Sequence, residues 1–444
     1  MLKRLGDERA AIDESGVVVK MRDANFPAPF KSGLEYSAPA RGSWNIVHTG
    51  MLIPEAHQIF VCAAGCLRGV VLTAAEMCAT DRFSTIEIRE NNVLEGDMEE
   101  MILDGVGDIL QRLKRRPPAV LLYTSCIHHF MGVDLKRLYR ELNKRYPDVD
   151  FTDCYMNPIM RKSGLTPDQL MRRQLYSLLK PRTQDGGLNI IGNDFALDDD
   201  SLLKRIIRSS SRPLREITSC KTYDEYQQMA ASSICISTQP AARASGDALE
   251  ERLGQKHLYL PQSFDVNTLE NNAKALAEIL NVVVPDINES RDEAVDALAE
   301  VKRSIGDVPI AIDYTFTVRP LELAKLLTEQ GFNVECVYLD GIIGEERAAF
   351  DWLRVNAPEM ELHPTVHAKM RVMPRHHDGK ILALGQKAAY FTGTNHFANI
   401  VEDGGMYGFD GIKRLAGLMQ EGWVSERDAR EFLQAKGLGC AWCL

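Results

Sequence analysis

The chain has 444 residues, enough for about three domains, and its 45% hydrophobic and 26% charged residues are ordinary for a globular protein. A net charge of −10 argues against a general binder of nucleic acid or anionic membrane, because both need a basic face. No apolar run reaches the length of a membrane span, and the charged opening "MLKRLGDERAAIDESG" has no apolar signal core, so a cytoplasmic protein in a reducing compartment is expected.

Residues 1–50, rich in Pro, Gly and Ser, read as an irregular N-terminal arm. A repeating rhythm follows. Strand-like apolar runs occur at "QIFVCAAG", "PAVLLYTSC", "GLNIIGND", "ASSICIST", "VPIAIDY", "NVECVYLD", "MRVMP" and "KILALG". Between them, "DMEEMILDGVGDILQRLKRR" has the apolar spacing of a one-faced helix. "GVDLKRLYRELNKRYPD" carries its acidic residue early and its basic ones later, as the helix dipole favours. "PLELAKLLTEQGF" opens on Pro320 and closes on Gly331, the usual start and stop signals.

Strands alternating with helices predict βαβ units and parallel sheets, and continuous apolar strands predict sheets covered on both faces. Polar, Gly-containing gaps near 183–188 and 303–308 divide the chain. The expected fold is α/β: three Rossmann-like, doubly wound parallel-sheet domains at 51–185, 186–305 and 306–425, then a tail at 426–444. In such sheets functional groups gather outside the carboxyl ends of the strands.

Several of the ten cysteines fall in that kind of place. Cys62 and Cys66, in "FVCAAGCLRGVV", come at or just after a strand. Cys126 ends another strand and opens the turn "CIHHFMGVD". A thiol at a helix N-terminus ionises readily, because free N–H groups stabilise thiolate. Three thiols from two such turns are either a metal or iron–sulfur site or small core residues. His128 and His129 are donors to sulfur or plain turn residues. Cys235 ends an apolar run before a helix and taken alone is a core thiol. Cys440 and Cys443 form a C-x-x-C pair in the tail, where docking and ligand roles both stand. "MPRHHDGK" reads as a surface loop, while "TGTNHFANIVEDGGMYGFDG", with His396 and Tyr407, has the composition of a pocket wall or of a β–α loop. No P-loop, G-x-G-x-x-G, H-E-x-x-H or G-x-S-x-G is present, so a redox role would take its electrons from elsewhere.

Four stretches in order resemble the component 1 family of nitrogenases and nitrogenase-like reductases: "VCAAGC", "LLYTSCIHHFMGVD", "LNIIGNDFALDDDSLLKRII" and "GGMYGFDGIKRLAGLM". The resemblance covers most of the chain after about residue 30. It implies an oxidoreductase with an iron–sulfur cluster, of 4Fe–4S or P-cluster type, shared with a homologous second subunit in an α2β2-type complex. It also implies an ATP-dependent iron–sulfur reductase protein as electron donor and a small organic substrate. Cys66 and Cys126 match cluster cysteines, and Cys62 replaces one that the family carries further upstream. For a second, larger iron–sulfur cofactor the resemblance points to Cys235, with Tyr407 or His396 as partner. Among the branches the chain looks most like methylthio-alkane reductase, which cleaves C–S bonds. A tetrapyrrole reductase subunit and a cluster-assembly scaffold are the alternatives.

Overall fold

The computed structural model describes residues 17–36, 45–157, 164–284 and 286–428; Cys440 and Cys443 lie outside them. Three sheets follow one another along the chain. The first joins β2 (His57–Cys62), β3 (Phe83–Glu87), β4 (Ala119–Ser125) and β5 (Asp150–Met156) in the order β3-β2-β4-β5, all parallel. The second joins β6 (Leu188–Ile191), β7 (Leu214–Glu216), β8 (Ile234–Ser237) and β9 (Lys256–Tyr259) as β7-β6-β8-β9, again all parallel.

The third sheet holds β10 (Pro309–Asp313), β11 (Asn333–Tyr338), β12 (Glu361–His363), β13 (Leu382–Leu384) and β14 (Phe397–Ala398) in parallel. The arm adds β1 (Val19–Lys20) antiparallel at the β12 edge. So part of the stretch expected to be irregular is a strand, and Ile46–Gly50 is a short helix capped by Asn45.

The central strands are apolar for a physical reason: every residue of β2, β4, β6 and β8 is buried. Helices cover both faces, which removes the need for polar alternation. The second sheet sits in the middle. One core runs from the first sheet into it through Phe60, Tyr123, Leu175 and Tyr226. Another runs from it into the third through Ile190, Ile236, Ile312 and Leu384.

One strand expectation fails. "MRVMP" forms no strand; a 3-10 turn spans Ala368–Arg371, with Met370 alone buried. Pro374 follows and offers no N–H to a ladder. Strand order then fixes where sites fall. In each sheet the first of the parallel strands has neighbours wound to both sides, and the crevice at that reversal lies between β2 and β4, between β6 and β8, and between β10 and β13.

Candidate functional site

The first crevice collects the cysteines. Cys62 is the last residue of β2, and Cys66 stands in the first turn of the helix Ala64–Glu76, where its N–H bonds Ala63 O at 2.9 Å. Val61 pairs with Thr124, so Ser125 lies level with Cys62 on the neighbouring strand. Cys126 then opens the helix Cys126–Phe130. Cys62 is buried, Cys126 half-buried and Cys66 exposed. Burial pushes the Cys62 thiol up to about 12, and the neighbouring Cys66 and then Cys126 add to the effect. The three sulfurs therefore share one electrostatic neighbourhood.

A Cβ on Gly65 or Gly69 would meet nothing within 4 Å, so the helix leaves open room beside Cys66. The elements carrying the cysteines also expose Val71, Leu72, Phe130 and Met131. His128 is 2% exposed; its Nδ1 accepts the Ser125 N–H at 3.0 Å in a capping box, and Nε2 has no hydrogen-bond partner among the described residues. Burial lowers its pKa and favours the neutral ring.

Among the described residues, no three His, Cys, Asp or Glu side chains are grouped to hold a single metal ion. A multi-iron cluster asks for something else: each thiolate binds a different iron, so the sulfurs surround a volume and do not converge on a point. Three thiols at one sheet edge, with open space and apolar surface beside them, fit such a group.

The residues expected at a second cofactor are not brought together. Cys235 lies inside β8, paired across the sheet with Asn189 and His257, and does not end the strand. Its thiol is wholly buried and donates to Gly246 O and Gln255 O, both at 3.8 Å. Burial first, then the charges of Glu250 and Asp247, raise it to about 12. Tyr407 donates to Leu260 O and accepts from Asn272, each at 3.2 Å. His396 contacts Trp423 O through Nδ1 at 2.9 Å and Glu426 through Nε2 at 3.4 Å. Each of the three has hydrogen-bond partners of its own, and none of these contacts joins one to another.

The second crevice holds a charge network instead. Thr166, Pro167 and Gln169 start the helix Pro167–Gln174 with a capping box and Pro at its first position. That helix delivers Arg172, 3% exposed, to Asp194 at 2.6 Å, Asp168 at 3.1 Å and Glu402 at 3.3 Å, and to the carbonyl of Gly192. Glu402 and Asp403 adopt left-handed backbone conformations, φ +47° and +65°, an uncommon state for residues with a side chain. Gln239 donates to Asp403 at 3.2 Å, and burial pushes the Asp403 carboxyl up to about 6. Sequence reasoning missed this cluster, because Arg172 and Glu402 alone lie 230 positions apart. The left-handed "ED" before a Gly pair was its one local sign.

A protein-family model described as nitrogenase component 1 type oxidoreductase matches residues 47–360. No curated protein sequence matches the chain. A solved structure titled "Nitrogenase Cp1 at pH 6.5" superposes with a TM-score of 0.66 at 14% identity, covering 89% of this chain and 94% of that one. A second, "Nitrogenase Cp1 at pH 5", gives 0.56 at 13% identity, covering 92% and 94%. At that identity the likeness is one of fold.

Proposed function

The chain belongs to the nitrogenase component 1 type oxidoreductases, and from that premise we propose that it is the subunit of a nitrogenase-like reductase that relays low-potential electrons through one bridging iron–sulfur cluster. Cys62, Cys66 and Cys126 would hold this subunit's share of the cluster. The observation that carries the reading is the gathering of three thiols at the crevice between β2 and β4. When bound, the cluster supplies one-electron storage at a potential set by its hydrogen bonds and burial.

The chain's own residues have separable tasks in this reading. Cys62 is a ligand inside the core, Cys66 and Cys126 are ligands at the surface, and the His128 Nε2–H is a donor for sulfur. The exposed Val71, Leu72, Phe130 and Met131 would be covered by a homologous second subunit in an α2β2-type complex. An ATP-dependent iron–sulfur protein would supply the electrons. The substrate class we propose is a small methylthio-alkane, reduced by C–S cleavage.

One observation favours a second reading. Cys235, Tyr407 and His396 each have internal partners, which suits the tetrapyrrole-type arrangement, where a small cluster alone is held. The two readings separate on the complex purified without oxygen and supplied with a reductase protein and ATP. Release of methanethiol from a methylthio-alkane supports the first. Tight porphyrinoid binding with no methanethiol supports the second. A complex with neither iron nor reductase-dependent turnover would overturn both.

A further inference from the structure

The third sheet carries a cavity that the electron-relay reading does not use. It has a volume of about 250 Å³ and lies over β11 and β12, below the ~300–1,000 Å³ of most ligand pockets and so suited to a small ligand. A β-bulge builds it. Ile310 pairs with Val334 and Ala311 with Cys336, so Glu335 is an extra residue on β11. Bulges re-aim side chains, and here the Glu335 carboxylate joins Cys336 and Tyr338 in lining the cavity. On β12, Glu361 and His363 are two positions apart and share that face.

Each carboxylate in the wall is held by an imidazole. His363 Nε2 stands 3.0 Å from Glu361, and His377 Nε2 stands 3.1 Å from Glu335. The hydrogen bond from His363 holds the Glu361 carboxyl below its ordinary range, so it is ionised at neutral pH. Tyr338 and Phe391, ring centroids 5.3 Å apart, form an aromatic part of the wall. Among the described residues, no lysine or arginine lines the cavity. The nearby Lys20 is paired with Glu359 at 2.7 Å. Burial keeps the Cys336 thiol neutral.

We propose that this cavity binds a small organic ammonium ion, held by Glu335 and Glu361 in a wall whose apolar part includes the stacked pair Tyr338 and Phe391. The carboxylates supply the counter-charge, and the apolar wall receives the carbon groups of the ion. A metal ion is the competing ligand. The histidines and carboxylates are arranged around the cavity wall, and among the described residues no three of them are grouped to hold an ion. "MPRHHDGK", which reads from sequence as a plain surface loop, contributes His377 to this wall.

Isothermal titration calorimetry on the full chain tests the proposal, with two probes, choline and n-butylammonium. Their neutral isosteres, 3,3-dimethylbutanol and n-butanol, are the controls. At least one cation should bind saturably and about tenfold or more tighter than its isostere. Glu335→Gln and Glu361→Gln should each abolish that preference while leaving the thermal unfolding midpoint near wild type. Both carboxylates are partly exposed, so the variants are expected to fold. Cys126→Ala should bind the cation as wild type does, which keeps this result independent of the cluster reading. No saturable binding of either cation, equal binding of the isosteres, or stoichiometric Zn²⁺ binding that the same glutamine variants abolish would overturn the proposal.

Discussion

Cys62 and Cys66 are four positions apart, yet solvent treats them differently. Cys62 ends a strand with both faces covered, while Cys66 stands on the first turn of the next helix in open space. Iron binds thiolate, so each ligand must lose its proton on binding. With its pKa pushed up to about 12, chiefly by burial, Cys62 is the thiol that resists. In metal-free protein at pH 8, iodoacetamide should label Cys66 well before Cys62, read by peptide mass spectrometry. Equal labelling would contradict the burial of Cys62. Cys126 was readable from sequence because a strand, a Ser-Cys step and a turn follow one another within a few residues. Cys235 was misplaced because an apolar run such as "ASSICIST" does not say where its strand stops. The structure stops it two residues later, at Ser237.

At the scale of elements, the helix Pro320–Glu329 shows how a buried acid can serve as a cap. Glu346 Oε1 accepts the Leu321 and Glu322 N–H groups at 2.7 and 3.1 Å. Burial pushes its carboxyl from the ordinary 4.5 up to about 8. The folded state therefore holds a proton that the unfolded chain releases above about 4.5. The stabilising contribution is complete below that pH and declines as pH rises towards 8. Glu346→Gln keeps an acceptor and removes the titration, so urea denaturation from pH 5 to 9 should show a flatter profile for the variant. Parallel profiles would show that Glu346 does not titrate in this window.

Gly192, just past β6, has φ +79°, and a Cβ there would stand 2.0 Å from the Ala242 Cβ. Gly192→Ala should cost about 2–4 kcal/mol in the same assay, from crowding and left-handed strain together. Most central strands and the long helices could be read from sequence because burial on both faces or on one stripe leaves a pattern. The short strands β3, β7, β9, β12 and β14 could not. They are two to five residues long, too short for a period to show. The longer edge strand β5 escaped because its buried positions are Thr152 and Cys154 and leave no apolar run.

At the scale of the molecule, Arg172 joins the three sheets. Its helix packs on the first sheet, Asp194 follows a strand of the second, and Glu402 is tied through its N–H to Thr315, just past β10 of the third. Arg172→Ala would leave Asp194 and Glu402 buried without their cation, and should cost about 3–5 kcal/mol by chemical denaturation. A loss under about 1 kcal/mol would mean that the sheets are held by their apolar cores alone. Beyond the "ED" before a Gly pair, no local pattern announces such a link, because its parts come from separate regions of the chain.

The central claim is that this chain contributes Cys62, Cys66 and Cys126 to one cluster and no ligand to another. Iron and acid-labile sulfide, measured on the complex purified without oxygen, test it most directly. Cys66→Ala and Cys126→Ala should each lose most of the iron, while Cys235→Ala should keep the full complement. Full iron in the first two variants, or iron lost from the third, would contradict the account.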